Sequence, residues 1–599
     1  MLVCWSALAA QESDSTQFQF IQQNSTYRWF NNFLYSGQVS QLTYELSNSF
    51  ISTMTQIQGA QKQWKDDQEF HGRVYGPMPN RWNWELKGTL QWFNDEQSGY
   101  FNDARAGKAA LGVRRDQPVY KLGIFGGYKQ DIRRQFIDTG PTMSGTFVLN
   151  QRTWSGYNTA GQIQVAAENL DQRRNRTYAA QWYASKEFSP GVSDYISVDL
   201  SQKKRSYYLH SGRVEERSES RQQVQNRLRY RIAQPLSLKL NTEYTQRITE
   251  IHTPIFNAAA LQKKNRENYS LQNLFGVILD VGFSRNEFTF QYGLDQNLYR
   301  TEVKDTLIAA SRLRQQTPPN DNSNTIEMAG ISTLGLGYQD SLQISISATR
   351  MQYNTPDSTN YDDRDEVRYR YGAKYQHRFA PGFRIETGGE VLLNHYAYLF
   401  SERSAENYWN RIFRLFSGVH WVRNSWMWVT SAEVLANYYD YEYDDLLNQV
   451  RSLAFRNMII SQKVAHPIGE RFQGQFRIEL QQEDQGRLDW DAFVQELILE
   501  REIVETEYKL VLHGKRPFTG YLGYRYQHRL DWRIQQDSRT PSERIYTRGP
   551  IIQVIYRWKN LPVIRWEATF MEVTQEDVEL ESSTRYPITH VRLQANWRW

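Results

Sequence analysis

An alternation of period two recurs along most of the 599 residues and limits what the chain can fold into. From Trp82, the residues Trp82, Trp84, Leu86, Gly88, Leu90 and Trp92 interleave with Asn83, Glu85, Lys87, Thr89 and Gln91. The same rhythm runs through Tyr120–Tyr128, Leu236–Tyr244 and Phe288–Leu294. A helix would scatter such residues around its axis, whereas a strand keeps each set on one face. Around Ala380-Pro381-Gly382 the pattern predicts a whole hairpin. Its greasy face is Val367, Tyr369, Tyr371, Tyr375 and Phe379, continued by Phe383, Ile385, Val391 and Leu393. Its other face carries Arg368, Arg370, Lys374, Arg378, Arg384, Glu386 and Glu390.

A water-soluble sandwich also alternates, so connection lengths must decide. Short turn signals fall near residues 76–80, 116–118, 155–157, 189–193, 233–235 and 284–286. More follow near 339–341, 380–382, 423–425, 466–469, 514–516 and 559–561. Longer polar stretches separate them, such as 94–108, 251–267, 302–324 and 353–366. Short turns at one end and long loops at the other describe an all-β, antiparallel up-and-down transmembrane β-barrel. Two strands per short turn, with one more at each end, give about 26, within roughly 22 to 28. The weakest stretch, 487–513, is expected to be one long strand projecting beyond the membrane.

Composition removes the competitors. Aromatics reach 14%, with 38 Tyr and 18 Trp, far above what disordered chains carry. No apolar run is long enough for a membrane helix. The single cysteine, Cys4, excludes a disulfide framework and a cysteine zinc site. With 71 basic and 66 acidic residues the charge is nearly balanced, which does not suit nucleic-acid binding. Residues 1–10 end in Ala7-Leu8-Ala9 after a short apolar run, as in a truncated export signal peptide. Residues 11–38 are expected to be a polar periplasmic lead-in, and 39–599 the barrel. That division leaves no room for a separate plug domain.

Trp82, Trp84, Tyr120, Trp154, Phe379, Phe383, Trp421, Trp426 and Trp558 all lie close to short turns. Aromatic rings at that level predict a periplasmic girdle. At the C-terminus, Val591, Leu593, Ala595, Trp597 and Trp599 alternate with Arg592, Gln594, Asn596 and Arg598. This ending resembles the bacterial outer-membrane β-barrel class, and the Tyr, Trp, Asn and Gln richness is similar in style to large Bacteroidota barrels. The resemblance implies a bacterial outer-membrane location. It also implies that Val591, Leu593, Ala595, Trp597 and Trp599 form an insertion signal read by the barrel assembly machinery. Outer-membrane lipid and lipopolysaccharide would then surround the protein.

A ring of about 26 strands spans about 50 Å, too wide for side chains to fill. Closure is expected from infolded loops, 302–324 and 251–267 foremost, from flattening, or from a capping or transport partner protein. Arg368, Arg370, Lys374, Arg378, Arg477, Arg525 and Arg529, with Glu386, Glu390 and Glu479, are expected to face the lumen. There they suit a cross-strand charge network or a polar path. The ten histidines show no metal-ligand spacing, and no nucleophile elbow or phosphate loop is present, so neither cofactor nor catalysis is expected. His377 and His528 fall on lipid-facing positions. The acidic runs at 362–366 and 440–445 read as solvated loop tips or, less simply, as calcium sites. The expected function is a transport conduit or the membrane subunit of a transport or secretion assembly. The alternative is a non-conducting barrel that displays loops for adhesion or docking.

Overall fold

The computed structural model describes residues 14–56, 61–97, 103–133, 136–209, 213–254, 261–303, 320–356, 360–446, 451–512, 517–535, 538–557 and 563–598. The first strands are β1 (Ser15–Gln23), β2 (Thr26–Val39), β3 (Leu42–Thr55), β4 (Gln63–Met78), β5 (Trp82–Asp95), β6 (Ala104–Asp116) and β7 (Tyr120–Arg133). Next come β8 (Phe136–Trp154), β9 (Tyr157–Asn169), β10 (Arg174–Ser189), β11 (Val192–Tyr208), β12 (Val214–Ala233), β13 (Leu236–Pro254) and β14 (Leu261–Val281). They continue as β15 (Ser284–Val303), β16 (Asp321–Gly335), β17 (Asp340–Asn354), β18 (Arg364–Ala380), β19 (Phe383–Tyr398), β20 (Tyr408–Arg423) and β21 (Trp426–Tyr441). The last are β22 (Leu453–Ile468), β23 (Phe472–Asp489), β24 (Val494–Leu512), β25 (Phe518–Gln535), β26 (Ser538–Tyr556), β27 (Val563–Asp577) and β28 (Ser582–Arg598).

These 28 strands form one sheet in which each pairs antiparallel with its neighbours in sequence. The sheet closes where β1 meets β28, from Ser15 opposite Arg598 to Gln23 opposite His590. Closure leaves no unpaired edge, the condition for a sheet in hydrocarbon, where an unsatisfied peptide group costs several kcal/mol.

Local chemistry sets the turns. Ser155 and Gly156 (φ 52° and 80°) and Asn424 and Ser425 (φ 49° and 69°) hold the two left-handed positions of two-residue hairpins. Pro381 precedes Gly382 at φ 87°, the order a tight type II turn requires.

Several expectations need correction. The stretch 11–38 is no lead-in, because from Ser15 it forms β1 and β2. Phe18 and Phe20 on β1, and Trp29, Phe33 and Tyr35 on β2, supply the greasy face. Interleaved Gln and Asn disguise it. These two strands raise the total from about 26 to 28. The turns expected at 284–286 and 339–341 lie slightly earlier, at 282–283 and 336–339. Much of the predicted loop 251–267 is strand, with β13 reaching Pro254 and β14 starting at Leu261. Residues 487–513 hold the end of β23, a turn at 490–493 and then β24. The signal segment 1–10 and residues 304–319 of the longest loop lie outside the described residues.

One face of the sheet is a continuous apolar surface. On β5 Leu86, Leu90 and Trp92 are exposed, on β20 Phe413 and Leu415, and on β21 Trp426, Trp428 and Val434. The opposite face carries chains of ion pairs such as Arg477–Glu479 and Arg501–Asp531. Apolar side out and charged side in is the arrangement of a transmembrane barrel, and it places the protein in the bacterial outer membrane. Both barrel ends of the chain, Ser15 and Arg598, lie at the end with the tight turns, which is the periplasmic end.

Candidate functional site

The inner wall gathers charged and polar side chains from many strands, which makes it the candidate site. Register and alternation put Arg368, Arg370, Lys374, Arg378, Glu386, Glu390, Arg477, Glu479, Arg525 and Arg529 on the face opposite the apolar one. Lys374 on β18 pairs with Glu386 on β19 at 3.0 Å. Glu390 meets Arg414 of β20 at 3.4 Å, and Arg414 reaches Glu433 of β21 at 2.8 Å. Arg368 donates to the Asn394 amide oxygen at 3.1 Å. Arg370 and Arg378 make no side-chain ion pair among the described residues.

On β23–β26 the wall is an unbroken ladder of opposite charges. Arg477 bridges Glu479 (2.7 Å) and Glu505 (3.9 Å). Arg525 pairs with Glu507 at 2.6 Å, and Lys509 holds the same carboxylate from the other side at 2.5 Å. Nearer the extracellular end the order is Glu483, Arg501, Asp531, Arg529, Glu543, with contacts of 3.1, 2.9, 2.7 and 2.5 Å. Asp531 accepts from both flanking guanidinium groups and is only 5% exposed. Charge-assisted bonds of this kind neutralise the wall locally and stiffen it. Arg414, Arg501, Glu507 and Asp531 escaped the sequence reading, although parity alone would have placed them beside the residues it named.

A second region of the wall, on β19–β22, is built differently. Opposed residues run Tyr396, Tyr408, Tyr441 in one row and Asn394, Asn410, Tyr439, Leu453 in the next. A third row is Leu392, Ile412, Asn437, Phe455. Tyr396 and Tyr408 stack at 4.7 Å, and Tyr439 meets Phe455 edge-on at 6.4 Å. The Asn394 amide donates to Asn410 at 3.1 Å and the Asn410 amide to Asn437 at 2.5 Å. Asn437, Tyr439, Tyr441, Leu453 and Phe455 enclose a shallow recess. No sequence signal separated these inward rings from girdle aromatics, because strands of both faces are rich in Tyr.

The girdle residues lie where the short turns are. Phe379 stacks on Phe383 at 4.9 Å, Phe383 opposes Trp421, and Trp421 opposes Trp428 beside Trp426. Trp82, Trp84 and Tyr120 sit at the same end of β5 and β7 on the outer face. Trp154 is largely exposed at the end of β8. His377 lies within this belt, edge-on to Phe379 and 2.6 Å from the Asp340 carboxylate, while His528 stacks on Tyr546. On β28, Val591, Leu593, Ala595 and Trp597 share the outer face with Phe18 and Phe20 of β1. Trp558 and Trp599 lie outside the described residues.

Side chains also tie the extracellular loops. Arg173, in the turn after β9, bridges Asp131 (2.9 Å) and Asp138 (2.6 Å), which oppose each other across the β7–β8 hairpin. Tyr208 donates to Asp138 at 2.9 Å. Burial works against the Arg173 charge, but the hydrogen bond to Asp138 and the nearby Asp131 outweigh it and raise its pKa. The acidic runs are engaged too. Asp362 pairs with Arg403, Asp363 caps Thr355, and Asp365 meets Arg350. Asp440 meets Arg411, and Asp444 accepts from Ser452. Among the described residues no cluster of His, Cys, Asp and Glu could hold a metal ion.

No family model matches the chain, and no curated protein matches it. Solved structures do. The copper transporter OprC is 9% identical, covers 87% of this chain and 86% of its own, and gives a TM-score of 0.43. The unliganded ferric citrate transporter FecA is 9% identical, over 98% of this chain and 79% of its own, with a TM-score of 0.40. The ferripyoverdine receptor of the outer membrane of Pseudomonas aeruginosa is 7% identical, over 86% and 76%, with a TM-score of 0.41. Likeness at this level says nothing about cargo, so the barrel's own geometry must carry the functional conclusion.

Proposed function

We propose that this chain is an outer-membrane conduit, either a transporter in its own right or the membrane subunit of a transport or secretion assembly. The supporting observation is the water-exposed, charge-lined interior. The molecule exposes 37690 Å². A compact protein of 70.8 kDa would expose about 22,000 Å². The surplus is the area of a hollow wall, and a circular section of 28 strands would be about 56 Å across. A permanently open passage of that width would leak, so the extracellular loops or a partner protein close it. The arrangement calls for no catalytic step.

One observation favours the alternative of a barrel that displays its loops. β12 to β15 run to between 19 and 21 residues. About 10 residues suffice to cross the membrane. These hairpins therefore stand well above the lipid, where a partner could dock. Planar-bilayer recording separates the two. Stable unit conductance supports the conduit. Silence from barrels that migrate as folded on gels, both intact and lacking residues 304–319, supports display. Purification in mild detergent tests the partner: a stoichiometric companion that blocks conductance identifies the cap.

A further inference from the structure

The tyrosine and asparagine region of the inner wall holds itself together by ring stacking and amide hydrogen bonds, yet presents its phenol groups unpaired. Aromatic rings facing a water-filled interior gain nothing from lipid, and among the described residues no second layer covers them as a core would. The charged ladder on β23–β26 pairs its carboxylates with guanidinium and ammonium groups, whereas this region leaves neutral polar groups open. Among the described residues the hydroxyls of Tyr396, Tyr408, Tyr439 and Tyr441 bond to no protein atom, and the Asn437 amide nitrogen donates to none. The three asparagines instead orient one another through the Arg368–Asn394–Asn410–Asn437 chain of hydrogen bonds. Loops brace the upper rim: Arg451 lies over Tyr441 at 4.5 Å, and Arg403 over Tyr398 at 4.2 Å.

We infer that this shelf binds an oligosaccharide. A sugar ring offers an apolar C–H face and a rim of hydroxyls. The shelf offers aromatic faces at right angles, Tyr439 and Phe455, with phenol and amide groups at their edges. From β18 to β22 the shelf spans four strand spacings, about 19 Å. That length fits several linked rings rather than one. Arg368 closes the row at one end with a fixed positive charge, so an acidic oligosaccharide binds more tightly than a neutral one.

The test is equilibrium binding of the detergent-solubilised full barrel to maltohexaose and to hexagalacturonate, which needs no conductance. Wild type binds both, hexagalacturonate the better. Tyr439→Ala and Phe455→Ala each weaken binding at least tenfold, while Tyr439→Phe, which keeps the ring, loses less. Arg368→Gln removes the preference for the acidic probe. Heat-modifiable gel migration confirms that each variant has folded. No binding of either sugar at millimolar concentration, or equal affinity in wild type and Tyr439→Ala, overturns the inference. A silent barrel that binds sugar removes the conduit alone, and a conducting barrel that ignores sugar removes the shelf alone.

Discussion

Two neighbouring regions of one inner wall solve the same problem in opposite ways. Both must present polar groups to the lumen from strands whose other face is greasy. On β23–β26 the central charges, Glu483, Arg501, Asp531, Arg529 and Glu543, meet their opposites at 2.5 to 3.1 Å, and that part of the wall is closed chemistry. On β19–β22, beyond the Glu390–Arg414–Glu433 pairs, the polar groups are phenols and amides, and the hydroxyls of Tyr396, Tyr408, Tyr439 and Tyr441 bond to no described protein atom. The first region is specified for rigidity, and the second is specified for contact. Wall position therefore does not determine role; saturation of the hydrogen-bonding groups does.

Both descriptions assume that odd residues of β21 face water and even ones face lipid. The largest expected effect tests that premise. Val434→Arg, on the outer face near mid-membrane, destabilises the folded barrel by about 2–4 kcal/mol. Ser431→Arg, three residues away on the inner face, shifts the urea midpoint in lipid vesicles little. Equal effects would mean the faces are wrongly assigned. The next test breaks the ladder at its centre. Asp531→Ala leaves Arg501 and Arg529 facing each other without their shared carboxylate, and costs about 2–3 kcal/mol in the same assay. Glu390→Ala, at a half-exposed pair in the other region, costs about 1 kcal/mol or less. Smallest of all, Tyr439→Phe leaves the midpoint unchanged, because its hydroxyl bonds to no described protein group. A stability loss there would make the shelf part of the scaffold rather than a surface for a ligand.

The sequence made the barrel legible because alternation is a direct imprint of a two-faced wall. Arg477 between Phe476 and Ile478 can be assigned a side without coordinates. Alternation weakened where the inner face was uncharged. β1 was hidden because Gln17, Gln19, Gln22 and Gln23 resemble a solvated tail as much as a lumen wall, and only the pairing with β28 settles the matter. The tyrosine shelf was hidden for a related reason. Tyr439 and Tyr441 share a face with Glu433, but aromatic residues in strands suggest lipid first. The partners of the acidic runs were beyond reach, since Asp362 and Arg403 come from different loops. Loop length misled as well: hairpins that continue as strand above the membrane look like polar loops, because neither of their faces needs to be greasy there.

The junction between β1 and β28 sets a timetable. Asn24 and Thr589, bonded across that junction, are 565 residues apart in sequence. At synthesis rates of about 5–20 residues per second, half a minute to two minutes separate their appearance. Until β28 is in place, one border of β1 has unpaired amides and carbonyls, open to any extended peptide nearby. Fidelity of the finished ring therefore depends on something occupying that border until β28 arrives, and a stand-in that lets go too soon would leave a sticky half-cylinder instead of a closed barrel.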